Sequence, residues 1–403
     1  MSKVTTDEKK IDELLNRGVE NVYPDKESLK KLLLSGKKIK LYCGYDPNSP
    51  TLHIGHGITI RKLAKFLELG HEVIFLFGDF TGQIGDPDKL SVREEITHEQ
   101  VLENLKGWKK QIKNIIDIDK VVFKFNSQWL SQLTFKDLIE AARHFTGQQM
   151  MDRDMFKERI KEGRPIYLHE FFYPLMQAYD SVAMDVDLEI GGNDQMFNML
   201  AGRTLMKAMK NKEKLVLTTK LLADPTGKKM GKSEGNMITL MDTPEDMYGK
   251  VMSWPDEMIL PAFEILTDVP EDMLSEAEKK LREGVNPRDY KMQLAFEVVN
   301  IYLGTAAAEA AQENFKRVFQ DKQKPLEIKE VRIKDKDGKL GVLDLFVSSG
   351  LAKSNSEVRR LISEKAIRIN DELVTDENII LDLPVDGLLL QRGKKLFARI
   401  FKS

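Results

Sequence analysis

The chain has 403 residues, with 62 Lys+Arg against 64 Asp+Glu and a formal net charge of −2; at roughly 150 residues per domain this length predicts two or three domains. The near-neutral balance excludes a uniformly basic nucleic-acid coat while leaving room for a local basic surface. The lone cysteine, Cys43, excludes an internal disulfide framework and a cysteine-ligated zinc, the N-terminal stretch lacks an apolar signal core, and apolar runs such as Val73-Ile74-Phe75-Leu76-Phe77 are strand-sized; a cytoplasmic protein with no membrane partner is expected.

In chain order, Ile39–Tyr45 reads as a first short apolar strand. A loop with Pro47 and Pro50 follows, then a helix from about His53 to Leu69, stopped by Gly70. Glu72–Phe77 is the next buried strand, which makes a strand, crossover helix, strand unit. Val101, Leu102, Leu105, Trp108, Ile112 and Ile115 recur at helical spacing before a strand at Val121–Phe125. Leu168–Tyr179 reads as a helix, Val186–Ile190 as a strand ending at Gly191-Gly192, Gln195–Met209 as a helix and Leu215–Thr218 as a strand. From about Thr243 the period is helical only. The lysine-rich stretch Phe319–Gly338 reads as a solvated linker. Beyond it a compact unit begins with a helix at Val342–Val347, a Ser-Gly turn and a charged helix at Ser356–Ser363, followed by short strands at Ala366–Ile369 and Gly387–Leu390. The alternation predicts an α/β fold: a Rossmann-like, parallel-sheet catalytic domain over 1–225, a lysine loop and all-helical domain over 226–320, a linker over 321–340, and a small α+β domain over 341–403.

Two motifs carry chemistry. Leu52-His53-Ile54-Gly55-His56 falls where a strand hands over to a helix N-terminus, whose unpaired N–H groups and positive dipole end favour phosphate. Two imidazoles three residues apart share one side of the first turn, and Gly55 leaves room for a flat ring such as adenine. A His-x-x-His pair also fits surface decoration or a metal site, although the Glu and third ligand of the helical zinc pattern are missing. The second motif, Gly227-Lys228-Lys229-Met230-Gly231-Lys232-Ser233, places three lysines on a glycine-bounded loop that could reach a polyphosphate; alone, it equally fits a solvated basic turn. Tyr173, Gln177 and Asp180, at i, i+4 and i+7, form one polar helix stripe, suited to a small polar solute or to a solvent-facing edge.

In combination, His53-Ile54-Gly55-His56 and Lys229-Met230-Gly231-Lys232-Ser233 resemble the two signature motifs of class I aminoacyl-tRNA synthetases, with Gly231 where that family usually has Ser. The Tyr173/Gln177/Asp180 stripe followed by Gly191-Gly192-Asn193-Asp194-Gln195, with Tyr42 and the turn Gly85-Asp86-Pro87, resembles the amino-acid pocket of the bacterial tyrosine-specific branch. The resemblance implies that Tyr42 and Asp180 meet a phenol hydroxyl, that Asp86, Tyr173 and Gln177 hold the α-ammonium, and that Gln195 lies on the tyrosine side. It implies ATP contacts at Gly44, Asp46, Gly55, Gly192, Asp194, Met230, Lys232 and Ser233, with Cys43 near the ribose, and catalytic roles for His53, His56, Lys229 and Lys232. Mg2+ would arrive with ATP, with no tightly held cofactor. The tryptophan branch shares the fold and the Gly-x-Asp-Gln pattern, but Tyr42 and Asp180 suit a hydroxyl better than an indole N–H alone. A catalytically silent RNA-binding paralogue is disfavoured because both histidines and both lysines are present.

The resemblance also implies L-tyrosine, ATP and tRNA(Tyr) as partners and a homodimer whose interface lies around Phe135 to Met155, a segment equally compatible with an internal core. The helical domain would hold the anticodon. Residues 341–403 resemble an alpha-L-type RNA-binding domain, in which Arg359, Arg360, Lys365 and Arg368 would sit on one helix and its turn and Arg392, Lys394, Lys395 and Arg399 near the end. With ten basic and nine acidic residues there, this expectation rests on clustering of charge.

Overall fold

The computed structural model describes residues 4–85, 97–223, 237–320, 328–333, 339–384, 387–393 and 396–402, and the chain divides into two compact units, residues 1–308 and 309–403. The first is built on a six-stranded sheet in the order β1-β6-β5-β2-β3-β4, from β1 (Val19–Tyr23), β2 (Lys40–Tyr45), β3 (Glu72–Phe77), β4 (Val122–Phe125), β5 (Leu188–Gly192) and β6 (Leu215–Thr219). Five strands run parallel, and their near-continuous apolar runs are what a sheet covered on both faces requires.

Two departures from the sequence reading stand out. The chain's first strand is β1, an antiparallel edge strand paired with β6, so the sheet is mixed and the strand that leads into His53 is the second. β1 was not read from Val-Glu-Asn-Val-Tyr because only one face of an edge strand is packed, and its apolar run is broken by Glu20 and Asn21. Helices α1 (Glu8–Asn16) and α2 (Lys26–Leu34), capped by Asp7 and Asp25, flank it.

From β2 the chain runs through α3 (Ile54–Glu68) to β3, α4 (Thr81–Ile84), α5 (His98–Ile112) and β4, moving toward one edge. After α6 (Ser127–Leu130), α7 (Phe135–Ala142), α8 (Gly147–Met151) and α9 (Asp154–Lys161) comes α10 (Phe172–Met184), which opens with a 3-10 turn and runs five residues beyond the expected end. The chain then returns to β5, on the other side of β2, and through α11 (Met196–Lys210) to β6. The strand order therefore reverses between β2 and β5, and in open α/β sheets ligands bind at such a switch point, beyond the carboxyl ends of the strands. Helices α12 (Pro244–Met252), α13 (Ile259–Leu266), α14 (Glu271–Arg282), α15 (Arg288–Leu303) and α16 (Thr305–Phe315) follow, in the helical stretch expected after Thr243. Tyr302 of α15 packs on α3 at Gly57, where a Cβ would stand 2.2 Å from its hydroxyl.

In the second unit, α17 (Val342–Ser348) and α18 (Asn355–Ser363) share an apolar core with a five-stranded sheet; Phe346, Leu361, Ile367, Leu390 and Ile400 lie in it. The strands are β7 (Lys329–Ile333), β9 (Ile367–Ile369), β10 (Glu372–Leu373), β12 (Leu388–Arg392) and β13 (Leu396–Lys402), and β8 (Lys339–Gly341) pairs separately with β11 (Ile380–Asp382). β7 and β8 lie in the stretch expected to be a linker. Alternating charges at Lys329, Glu330 and Arg332 hide β7, which is a strand because β13 offers it a parallel edge.

Candidate active site

At the switch point lies a cavity of about 400 Å³. β2 and the loop after it contribute Tyr42, Cys43, Gly44 and Asp46, the start of α3 contributes His53, Gly55 and His56, α10 contributes Tyr173, Gln177 and Asp180, and the end of β5 with the turn beyond it contributes Glu189, Gly192, Asp194 and Gln195. The polar stripe on α10 thus faces a cavity and not bulk solvent.

The deep end is a set of buried, mutually bonded polar groups. Asp180 is 2% exposed and accepts hydrogen bonds from Trp129 Nε1 (2.7 Å) and Asn126 Nδ2 (3.3 Å). Burial pushes its carboxyl well above the usual carboxylate range, against the pull of those two donors. Tyr42 is fully buried, and its hydroxyl lies 2.9 Å from Ser181 Oγ. Burial, with the Glu189 and Asp180 carboxyls nearby, raises its phenol well above the ordinary value. Gln177 Nε2 donates to Glu189 Oε1 (3.0 Å), and Glu189 Oε2 accepts from the fully buried Lys214 ammonium. Toward the mouth, Tyr173 donates from its hydroxyl to Oδ2 of the half-buried Asp46 (2.9 Å), and Asp46 Oδ1 accepts from Thr81 Oγ1 (2.9 Å).

The mouth is half-buried or open. His53 is the N-cap residue of α3, and His56 Nδ1 accepts from the His53 backbone N–H (3.2 Å). Their rings stack with centroids 3.8 Å apart, side by side at the positive end of the helix. The flat ring lying over Gly55 is the His53 imidazole itself, which a Cβ at Gly55 would approach to 2.9 Å, so the space read as room for adenine holds that ring in this structure. Gly192 leaves no space for a side chain either, since its Cβ would stand 2.5 Å from Asp194 Oδ1. Asp194 is exposed, and Gln195 Oε1 accepts from Asn198 Nδ2 (3.0 Å). Cys43 is 4% exposed, and burial pushes its thiol up to about 12, which rules out a thiolate near neutral pH.

Asp86, Lys229, Met230, Gly231, Lys232 and Ser233 lie outside the described residues. Both flanks of the lysine motif nevertheless reach the cavity: Leu222 precedes it, and Met237 and Ile238 follow it. Thr239 then forms an antiparallel bridge with His53, supported by bonds from Ile54 N to Ile238 O (3.0 Å) and from Leu240 N to Leu52 O (2.8 Å). The segment that follows the second motif is thereby tied to the first motif. Among the described residues no three His, Cys, Asp or Glu side chains converge as a metal site.

Sequence reasoning missed Thr81, Asn126, Trp129, Ser181, Glu189 and Lys214. One signal was available: a charged residue inside the apolar run Leu188-Glu189-Ile190, and another directly before Leu215-Val216-Leu217, are costly in a sheet buried on both faces unless they pair. In the second unit, Arg359 and Arg360 are exposed on α18 and Lys365 follows in the turn at φ +54°, while Arg368 stands on β9, not on the helix or turn expected. Arg359 pairs with Glu377 and Arg392 with Glu357 (both 2.9 Å), so much of this charge is already partnered. Lys394 and Lys395 are outside the described residues, and Arg399 is half-buried on β13.

A parallel sheet with a phosphate-suited helix N-terminus at its switch point, the flank of a second motif bridged to it and an adjoining polar pocket define a class I synthetase site. Residues 34–320 match the family described as tRNA synthetases class I (W and Y), and the chain belongs to that family. Residues 322–400 match the tyrosine–tRNA ligase SYY-like C-terminal domain. The tyrosine–tRNA ligase of Carboxydothermus hydrogenoformans is 43% identical over 397 residues, 96% of this chain and 97% of that one. That of Thermotoga maritima is 42% identical over 390 residues, covering 96% of each chain. Within the class I family, the chain is one of the tyrosine–tRNA ligases. Solved structures share the fold: a truncated Aspergillus nidulans mitochondrial tyrosyl-tRNA synthetase (TM-score 0.62, 23% identity, 77% of this chain and 94% of that one) and the Archaeoglobus fulgidus tyrosyl-tRNA synthetase complexed with L-tyrosine (TM-score 0.59, 24% identity, 76% and 100%).

Proposed function

We propose that this chain activates L-tyrosine with ATP to tyrosyl-adenylate, releasing pyrophosphate, and then transfers tyrosine to the 3′ end of tRNA(Tyr). The observation that carries this reading is one continuous cavity that joins a buried, hydroxyl-suited pocket at Tyr42 and Asp180 to the two imidazoles at the start of α3. A tyrosine carboxylate oxygen attacks the α-phosphorus of ATP and pyrophosphate departs, so no protein nucleophile is required. The protein supplies alignment and charge stabilisation. His53 and His56 serve the phosphates as they gain charge, and Lys229 and Lys232 serve the β- and γ-phosphates. Asp46, Gly192 and Asp194 contact the nucleotide, Asp194 at the ribose hydroxyls, with Gly44, Gly55, Met230 and Ser233 beside it. Cys43 stands near the ribose. Asp86, Tyr173 and Gln177 hold the ammonium, and Gln195 lies on the tyrosine side. Mg2+ neutralises the triphosphate when bound; the half-buried Asp46 and the exposed Asp194 suit an ion that keeps most of its shell from phosphates and water.

In the second step the terminal ribose hydroxyl of the tRNA attacks the tyrosyl carbonyl and AMP departs. Arg359, Arg360, Lys365 and Arg368 would meet RNA phosphates, within a 341–403 domain that takes in part of the preceding segment through β7, and the helical region after 226 would take the anticodon. α7 supports a homodimer: Ala141 is buried against Ala178 and Val182, while Phe135 is 77% and Ile139 52% exposed on the same helix. No helix of the described residues is long and apolar enough to cross a membrane; the likeness to bacterial tyrosine–tRNA ligases supports a cytoplasmic setting. Amino-acid-dependent exchange of labelled pyrophosphate into ATP, run with each of the twenty amino acids and without tRNA, tests the reading. Exchange with tyrosine alone is expected; exchange with tryptophan overturns the pocket assignment, and silence with all twenty overturns the activity.

A further inference from the structure

The proposed roles of Gln177 and Tyr42 leave open what decides how each presents its hydrogen-bonding atoms to a ligand. An amide can face either way, and a hydroxyl can donate or accept. Beneath both lies a buried cation that the proposed reaction does not use. Lys214, immediately before β6, is 0% exposed and Glu189 on β5 is 1% exposed. The Lys214 ammonium donates to Glu189 Oε2 and to Ser181 Oγ (2.9 Å). From there the bonds fork to the two ends of the pocket: Glu189 Oε1 takes the Gln177 amide N–H (3.0 Å), and Ser181 Oγ meets the Tyr42 hydroxyl (2.9 Å). The fold makes room for this arrangement, because a Cβ on Gly202 of α11 would stand 2.4 Å from Lys214 Nζ and 3.0 Å from Ser181 Oγ.

We infer that the Lys214–Glu189 pair, acting through Ser181, is the positioning element that fixes the hydrogen-bond polarity of the tyrosine pocket at both its ammonium and its phenol ends. Glu189, as a carboxylate, only accepts. It therefore turns the Gln177 N–H groups toward itself, and the planar amide sends Oε1 the other way, as an acceptor for an ammonium. Lys214 only donates, so it occupies a lone pair of Ser181 Oγ. The Ser181 proton then goes to its nearer acceptor, Tyr42 Oη, with Glu189 Oε2 at 3.5 Å the more distant. The Tyr42 proton, which Glu189 otherwise takes as a hydrogen bond, donates to a phenol oxygen when tyrosine is bound, and Asp180 accepts a hydrogen bond from the phenol. A pocket polarised in this way rejects phenylalanine because its buried groups lose their partner.

The inference rests on the tyrosine reading, and its test is arranged so that the two can fail separately. Removing one charge leaves the other buried and unpaired, which endangers folding, so the main variant is the neutral pair Lys214→Met/Glu189→Gln. Ser181→Ala, which cuts only the phenol branch, accompanies it. Pyrophosphate exchange gives kcat/KM for L-tyrosine and L-phenylalanine and KM for ATP, and the deaminated analogue 3-(4-hydroxyphenyl)propionate serves as an inhibitor that lacks the ammonium. For the double variant we expect ATP KM within about twofold, the tyrosine-over-phenylalanine ratio down at least about tenfold and the preference for tyrosine over the deaminated analogue down by a similar factor. Ser181→Ala should lower only the phenylalanine ratio. A folded double variant with both preferences intact overturns the inference, as does one whose losses fall equally on ATP and tyrosine. Absence of tyrosine-dependent exchange in the unaltered protein overturns the parent reading instead.

Discussion

The two ends of the cavity are built on opposite principles. At the deep end Tyr42, Asp180, Glu189 and Lys214 are all at most 2% exposed, and each is bonded to a neighbour. At the mouth Asp46, His53 and His56 are half-buried and Asp194 is exposed. Discrimination between tyrosine and phenylalanine needs polar groups that water cannot satisfy, and hence burial. Handling a triphosphate needs donors that solvent and substrate can reach, gathered at a helix end and on a loop whose flank is pinned to His53. On the proposed function, specificity and charge management are separated along one cavity.

The largest test of this division is Asp180→Ala. A pocket that depends on a buried hydroxyl partner discriminates by roughly 10⁴–10⁵, and without one by roughly 10²; relative kcat/KM for tyrosine and phenylalanine in pyrophosphate exchange should fall by about that difference. At the mouth, His53→Ala should slow adenylate formation about 10²–10³-fold and leave tyrosine binding within about twofold. Rapid-quench measurement of adenylate beside equilibrium tyrosine binding decides the point, and equal loss of both would remove His53 from its role. Lys229→Ala and Lys232→Ala should each behave in the same direction, with the loss in the ATP-dependent step.

A further variant probes the scaffold. Gly57→Ala drives a methyl into the buried Tyr302 hydroxyl, so α15 or α3 must shift; overpacking of this kind costs about 1–3 kcal/mol, to be read as a lowered urea midpoint. A pH dependence arises from outside the cavity. His71 is 2% exposed, its Nδ1 accepts from Ile39 N (3.5 Å), and burial lowers it to about 4. Because the folded value lies below the unfolded one, the unfolded chain takes up the proton first as pH falls from about 6.5 to 4. Stability is then lost across that window, at no more than about 1.4 kcal/mol per pH unit. Urea unfolding at pH 7, 5.5 and 4.5 should show this slope in the unaltered protein and a shallower one in His71→Gln, with no matching change in tyrosine-over-phenylalanine preference.

Much of this was legible from spacing alone. The β2, α3, β3 unit lies within a residue or so of where the apolar run, Gly70 and the second run placed it, because a strand buried on both faces and a helix with a glycine stop leave unambiguous periods. Tyr173, Gln177 and Asp180 share one face by helical geometry, and the cavity confirms that face. Strands β1, β7, β8, β10, β11 and β13 were not legible. These strands carry mixed polar and apolar residues, and β1, β7, β8 and β11 pair only with partners far away in sequence.

The sequence by itself determined the parallel-sheet core, the helix N-terminus bearing His53 and His56 and the polar stripe on α10, because each follows from local period, capping and turn chemistry. Only the tertiary structure decided which polar groups lie buried together: Lys214 meets Glu189 across 25 positions of chain and Tyr42 meets Ser181 across 139. A buried charge is tolerated only where folding delivers its partner, and that delivery is a property of strand order, which no local stretch of sequence encodes.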